Sequence, residues 1–161
     1  MSGSDSSPEN ERVDAKLFPL PDLVMFPHVV QPLHLFEPRY VAMIEAALTG
    51  SRLIAMALLR EGWQSDYAGD PPIHQTVCLG RVISDSRLED GQYNILLAGV
   101  TRARVLRELT DEAAYRTAEI VLLPDIYGSA NPLEQRQLQQ RLLTSFREFY
   151  PSGATGEESL Q

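Results

Sequence analysis

Lysine is almost absent from this 161-residue chain, which contains 13 arginines but only one lysine, Lys16. The phosphate-binding loop of many ATPases and the catalytic dyad of Ser-Lys peptidases both require a lysine. Lys16 follows Ala15 without a glycine-rich loop before it, so it does not fit a phosphate-binding loop. As a catalytic base it would need a buried position, which a polar leader does not provide. The sequence therefore predicts neither an ATPase nor a Ser-Lys peptidase.

Cysteine and histidine are also scarce, since the chain has only Cys78 and the histidines His28, His34 and His74. One cysteine excludes an internal disulfide framework and is typical of a reducing compartment, so a cytoplasmic location is expected. The histidines match no H-E-x-x-H or Cys/His metal spacing, and no serine lies in a G-x-S-x-G motif. We expect no catalytic residues, no metal site and no cofactor.

Long apolar runs are missing as well. None approaches the roughly 20 residues that a membrane-spanning helix needs, and the N-terminus does not resemble a secretory signal. Positive charge is outnumbered, because 22 acidic side chains face 14 basic ones and give a net charge of −8. Since nucleic-acid affinity depends largely on clustered Lys and Arg, nucleic acid is not expected as the main partner, and no membrane association is expected.

The elements that are present are short strands and two helices. Five prolines between residues 17 and 39 exclude a long helix there and favour short edge strands joined by tight loops. Apolar residues at helical spacing behind Pro38 predict a helix over 38–49. Strands are predicted at 53–59, 76–84, 93–105 and 115–123, with a turn at Asp90-Gly91 and a bulge at Gly99. A second helix is predicted over 132–149, capped by Asn131.

Together these elements predict an α+β fold, a mostly antiparallel β-barrel with one embedded helix and a C-terminal helix. We expect a disordered leader at residues 1–15, the barrel at 16–125, the C-terminal helix at 131–150 and a disordered tail at 151–161. The two ends are too polar to bury enough surface to offset the entropy of ordering. Residues 61–75 are predicted to form a long loop.

A family resemblance begins in residues 17–48, which read LFPLPDLVMFPHVVQPLHLFEPRYVAMIEAAL. This segment resembles the opening of the Lon N-terminal domain family, whose pattern ends in F-E-x-R-Y; here Phe36, Glu37, Arg39 and Tyr40 carry it. Further matches follow in order to about residue 123. The resemblance implies a PUA-like barrel in a stand-alone bacterial form. The chain departs from the family after residue 125, where one helix stands in place of a larger helical bundle.

The resemblance implies a function as well, because in Lon this domain helps to capture unfolded or degron-bearing polypeptides and to assemble the oligomer. Together with the missing catalytic parts, this predicts a non-catalytic polypeptide-recognition module, such as an adaptor in protein quality control. Its partners would be such polypeptides or a partner protein. The alternative is a PUA-like RNA-binding domain that uses Arg102 and Arg104, although a solvated face paired with acidic residues is the simpler interpretation. The oligomeric state stays open.

Four residues are candidates for polypeptide binding: Met25, Phe26, Trp63 and Tyr67. Met25 and Phe26 belong either to the core or barrel rim, or to a groove for a partner. Trp63 and Tyr67 lie on a polar loop, where exposed aromatic side chains are favoured contacts for peptides. Folding back over the barrel is the other interpretation for this pair.

Glu37 and Arg39 invite either an ion-pair or a catalytic interpretation. They lie where a strand is predicted to meet the first helix. We therefore expect them to cap that helix and brace the barrel.

Overall fold

The computed structural model describes residues 11–110, 112–126 and 131–149. The chain divides into two compact units, residues 1–125 and residues 126–161. Most of the leader and the whole of the tail that were predicted to be disordered lie outside the described residues.

The first unit is built from strands, one α-helix and a short 3-10 turn at Trp63–Asp66. The helix follows the second strand, and the last two strands form a long antiparallel pair. In chain order the elements are β1 (Arg12–Leu20), β2 (Val30–Leu35), α1 (Pro38–Leu48), β3 (Leu53–Leu58), β4 (Thr76–Arg87), β5 (Tyr93–Leu109) and β6 (Thr117–Leu123).

The sheet is mostly antiparallel, as predicted, with β1 and β3 as its parallel pair. Strand β5 is long enough to serve two partners: its first half pairs with β2 and its second half with β6. The pairings β1–β3–β4–β5–β6 lead back to β1 and form a closed circuit. Strand β2 lies outside this circuit, so the predicted β-barrel is not a clean one, and the α+β architecture is the part that holds.

Strand β1 lies inside the sheet, between β3 and β6, although its one proline, Pro19, favoured an edge position. Strand β6 pairs with residues 12–16, whereas Pro19 comes later and lies opposite Ala57 of β3. The missing N–H of Pro19 therefore interrupts no bond to β6. Pairing with β6 also orders the chain from Arg12, whereas the leader was expected to be disordered up to residue 15.

The predicted bulge lies beside Gly99. Leu79 pairs with Thr101 and Gly80 pairs with Gly99, so Val100 has no partner in the register. A second irregularity in β4 leaves out Ile83 in the same way. Both omitted side chains are apolar and exposed. Bulges thus turn these two apolar residues outward.

Two groups of buried side chains form the core. One lies where α1 packs against the sheet and includes Phe18, Tyr40 and Met43. The other lies among the strands of the closed circuit and contains several small residues, because facing strands approach closely there. Its members are Ala15, Leu17, Ala55, Ala57, Val77, Leu79, Ala103, Val105, Ala118 and Ile120.

The second unit contains one helix, α2 (Pro132–Phe149), as predicted. The side chain of Asn131 accepts a 3.0 Å hydrogen bond from the backbone N–H of Leu133, which is an N-terminal cap followed by proline at the first helical position. At about 100° per residue, residues 138, 142, 146 and 149 share one face, whereas Leu133 lies apart from them. Among the described residues no helix is long and apolar enough to cross a membrane.

Candidate functional site

Glu37 connects the start of α1 to the loop that carries the predicted aromatic pair. Its carboxylate accepts a 2.6 Å hydrogen bond from the Tyr67 hydroxyl and a 3.1 Å bond from Nε of Arg39. Arg39 also donates to the backbone carbonyl of Tyr67 at 3.3 Å. Glu37 occupies the N-cap position but makes no side-chain cap bond, so the expected capping role is wrong. Its carboxylate joins two segments instead.

The aromatic side chains around this junction are packed together. Trp63 and Tyr67 meet edge to face with ring centroids 5.4 Å apart, and the Arg39 guanidinium lies over the rings of Tyr40 and Tyr67. Burial raises the pKa of Tyr40 to about 12. The hydrogen bond to Glu37, together with burial, raises the pKa of Tyr67. Tyr67 is therefore held back against α1, while Trp63 stays partly exposed.

The two other predicted residues separate by burial. Met25 is buried in the α1 core group, whereas the Phe26 side chain next to it is 56% exposed. Val24 and Val29 in the same loop are exposed too. The loop is held to β5 by two backbone hydrogen bonds. The backbone N–H of His28 donates to the Gly99 carbonyl at 2.9 Å, and the backbone N–H of Gly99 donates to the Val29 carbonyl at 2.8 Å. An apolar surface therefore lies on a well-held loop.

We call this patch the Phe26 surface. It combines the exposed apolar residues of the 21–29 loop with exposed apolar residues at the start of β2 and on β5. A narrow cleft of about 110 Å³ beside it reaches Leu23, Met56 and Cys78. The members of the Phe26 surface are Val24, Phe26, Val29, Val30 and Val100.

Within the described part of the chain, Trp63 packs against Tyr67, whereas Met25 and Phe26 line the narrow cleft beside the 21–29 loop. The hydrogen bonds and ring contacts found among the described residues do not join Met25 or Phe26 to Trp63 or Tyr67. Sequence reasoning also missed Val24, Val29 and Val100. Only a bulge signal at Gly99 hinted that Val100 would turn outward.

A larger cleft of about 450 Å³ lies elsewhere on the first unit, and its residues did not stand out in the sequence. Arg116, whose side chain is 10% exposed, bonds the Glu108 carboxylate through two nitrogens and donates to the Pro71 carbonyl at 2.8 Å. Arg39 lies on another wall. The lining residues are Pro19, Arg39, Tyr40, Ala68, Gly69, Asp70, Glu108, Leu109, Thr110, Ala113, Ala114, Tyr115 and Arg116.

Of the two arginines considered for RNA binding, Arg102 has an acidic neighbour, as does Arg107 further along β5. Arg102 contacts Asp125 at 2.7 Å and Arg107 contacts Glu119 at 2.7 Å. Arg104 lies between them along β5 and is exposed. Paired carboxylates reduce the positive potential that a phosphate backbone would meet. This arrangement matches the solvated, paired face that was the simpler interpretation.

The residues considered for other chemistry are dispersed. His34 bonds Asn94 at 2.8 Å and stacks on Phe36, while His28 lies 3.8 Å from Asp125. Cys78 is buried, and burial raises the pKa of its thiol. Within the part of the chain that the structure describes, no group of three or more His, Cys, Asp or Glu could hold a metal ion.

Lys16 belongs to β1 rather than to a polar leader. It pairs with Ile54 on one side and Thr117 on the other, so the backbone around it is regular strand. No phosphate-binding loop surrounds it.

Comparison with known proteins gives a family to this fold. The family model described as the ATP-dependent protease La (LON) substrate-binding domain matches residues 14–154. The Lon protease of Azorhizobium caulinodans is 31% identical over 133 residues, which are 83% of this chain and 15% of that protein. The Lon protease of Escherichia coli K12 is 24% identical over 140 residues, 87% of this chain and 17% of that protein. The chain thus spans about a sixth of these relatives.

Two solved structures share the fold. A Lon N-terminal domain protein from Xanthomonas campestris aligns with a TM-score of 0.61 and 21% identity, covering 82% of this chain and 74% of that one. The N-terminal domain of the Mycobacterium avium complex Lon protease aligns with a TM-score of 0.58 and 16% identity, covering 85% and 74%. The matched regions do not include protease or ATPase domains. This chain belongs to the Lon substrate-binding domain family.

Proposed function

We propose that this chain binds exposed apolar segments of unfolded or degron-bearing polypeptides on the Phe26 surface and has no catalytic activity of its own. The observation that carries the proposal is the 56% exposed side chain of Phe26, presented on a loop that is hydrogen-bonded to Gly99. Exposed apolar clusters on a folded surface are typical of interaction sites, and aromatic residues contribute strongly to binding there. Family membership favours a polypeptide as the occupant.

A rigid loop suits this role. Because the loop backbone is bonded to β5, a ligand does not have to order it, and less binding free energy is lost to entropy. In the proposal Phe26 contacts the polypeptide and Met25 supports it from the core. Trp63, partly exposed and backed by Tyr67, is the candidate for a second contact.

The finer parts of the proposal are an adaptor or accessory role in protein quality control and a cytoplasmic location. The first rests on membership of the substrate-binding family. The second rests on the single cysteine, which is typical of a reducing compartment. The same proposal includes assignment of the sheet to the PUA-like fold type.

The test is a binding titration with the full chain. Reduced and carboxymethylated lactalbumin, which cannot refold, and a short fluorescent apolar peptide serve as probes. We expect Phe26→Ser to weaken binding by about tenfold or more, as for an aromatic residue that dominates an interface. Leu106→Ser is the matched control: it removes an exposed apolar side chain on β5, seven residues and about 23 Å of strand from Gly99.

Unchanged affinity of Phe26→Ser would place binding elsewhere and refute the role of this surface. If the wild-type chain ignored both probes, the proposed function itself would be lost. Equal weakening by Leu106→Ser would point to general stickiness of apolar surface rather than to a site.

A further inference from the structure

The larger cleft, which contains Arg39 and Arg116, has the chemistry of a site for the end of a polypeptide. We propose that it binds the C-terminal carboxylate of a client chain together with its last one or two residues. This proposal rests on the proposed function and adds to it the class of polypeptide end that is recognised. The cleft volume of about 450 Å³ lies within the usual range for small ligand sites.

Two guanidinium groups supply N–H donors for the carboxylate, and each carries a formal positive charge that a neighbouring carboxylate partly offsets. Both line the cleft, and their side chains are largely buried, with 22% exposure for Arg39 and 10% for Arg116. Each is held in place by a carboxylate, Glu37 for Arg39 and Glu108 for Arg116. A guanidinium has five N–H donors in a planar fork, so these contacts leave donors for a ligand. A planar carboxylate is the group that such a fork binds best.

The acidic residues of the cleft decide which anion fits. Asp70 and Glu108 line it beside the arginines, and their repulsion grows with the charge of the anion, so a doubly charged phosphate is disfavoured more than a singly charged carboxylate. A peptide end carries a single negative charge, and its amide N–H groups are donors next to the carboxylate. Those N–H groups can bond to the Glu108 carboxylate in the cleft wall. Mixed charge therefore favours a peptide terminus over a phosphate.

The remaining walls are apolar and suit small side chains at the end of a chain. They include Pro19, the ring of Tyr40, and the small residues Ala68 and Ala114. Part of the wall is positioned by Arg39 itself, because it donates to the carbonyl of Tyr67, next to Ala68. The same arginine thus shapes the cleft and offers it positive charge.

The experiment compares two fluorescent peptides of one unstructured sequence that ends in Val-Ala, one with a free C-terminus and one with a C-terminal amide. We expect the full wild-type chain to bind the free acid about tenfold more tightly, since charge-assisted hydrogen bonds are lost in the amide. Ala114→Asp adds a negative charge to the exposed cleft wall without removing any bond and is expected to abolish the preference. Arg39→Gln should do the same.

Ser84→Asp is the control, because it adds the same charge on an exposed position of β4 outside this cleft and should keep the preference. If Arg39→Gln does not fold, Ala114→Asp decides. Equal binding of acid and amide by the wild type would overturn this inference and leave the proposed function standing. A preference that survives in Ala114→Asp, or competition by inorganic phosphate at equal concentration, would overturn it as well. Binding of neither peptide nor unfolded lactalbumin would instead refute the proposed function.

Discussion

The hydroxyl of Tyr67 donates a 2.6 Å hydrogen bond to Oε1 of Glu37, thirty residues earlier in the chain. This bond fixes the 61–70 loop to the start of α1. Arg39 reinforces it from the same side, through Glu37 and through the Tyr67 carbonyl. The charged residues of the F-E-x-R-Y motif therefore hold a distant loop in position.

Removal of the Tyr67 hydroxyl tests this relationship. We expect Tyr67→Phe to lower the free energy of unfolding by about 1 kcal/mol, because a hydrogen bond to a partly exposed carboxylate is lost while the ring remains. Denaturant unfolding measures the change, and the fluorescence of Trp63, the single tryptophan, reports on the loop directly. In a Glu37→Gln background, Tyr67→Phe should lower the free energy of unfolding by less than it does in the wild type. Equal costs in both backgrounds would contradict the coupling.

Stability should fall at alkaline pH because of Tyr40. Its pKa is raised to about 12 in the folded chain by burial, above the value of about 10 for an exposed tyrosine. The folded state therefore holds this proton more tightly than the unfolded chain. The contribution is fully present below about pH 10 and is lost as the pH rises towards about 12.

The measurement for this second prediction is unfolding across that pH window in the wild type and in Tyr40→Phe. At neutral pH the variant should be less stable by about 1 kcal/mol, because it loses the buried hydrogen bond that the Tyr40 hydroxyl donates to the Pro19 carbonyl at 3.2 Å. The difference in free energy of unfolding between the two chains should narrow as the pH rises. In a titration followed by tyrosinate absorbance, the step at the highest pH should be missing from the variant. A constant difference would show that Tyr40 does not titrate late.

A third prediction concerns Gly99, which lies directly against the backbone of the 21–29 loop. A Cβ at this position would overlap the backbone carbonyl of Phe26, and backbone cannot move aside as a flexible side chain can. We expect Gly99→Ala to displace the loop, cost about 1–3 kcal/mol and weaken polypeptide binding. Gly50→Ala is the control, since its Cβ would make an ordinary 3.5 Å contact. Full binding by Gly99→Ala would argue against a rigid Phe26 surface.

Gly80 offers a fourth test, this time of the core. A Cβ there would lie 2.7 Å from Cγ of Leu97, which is fully buried. Gly80→Ala should therefore destabilise the fold by about 1–3 kcal/mol through overpacking. In a Leu97→Ala background, which lacks Cγ and both Cδ atoms, Gly80→Ala should cost less than in the wild type, as thermal unfolding of all four chains would show. Strictly additive effects would mean that the two positions do not compete for space.

The periodic elements were predictable because their signals are local. Pro38 and the apolar spacing behind it define α1, the Asp90-Gly91 pair gives the turn before β5, and Asn131 caps α2. At Gly91 the backbone has φ +84°, a conformation that glycine adopts without strain. Each of these features is determined by residues within one or two turns of chain.

What the sequence by itself determined is therefore the periodic elements and the family. Tertiary structure decided the rest, because it depends on residues far apart in the chain. It placed Met25 inside and Phe26 outside, held Tyr67 against Glu37, and left β2 outside the closed circuit of strands. It also brought Arg39 and Arg116 to one cleft. No local pattern marks such pairs, since their partners meet only when the sheet closes and the loops pack on it.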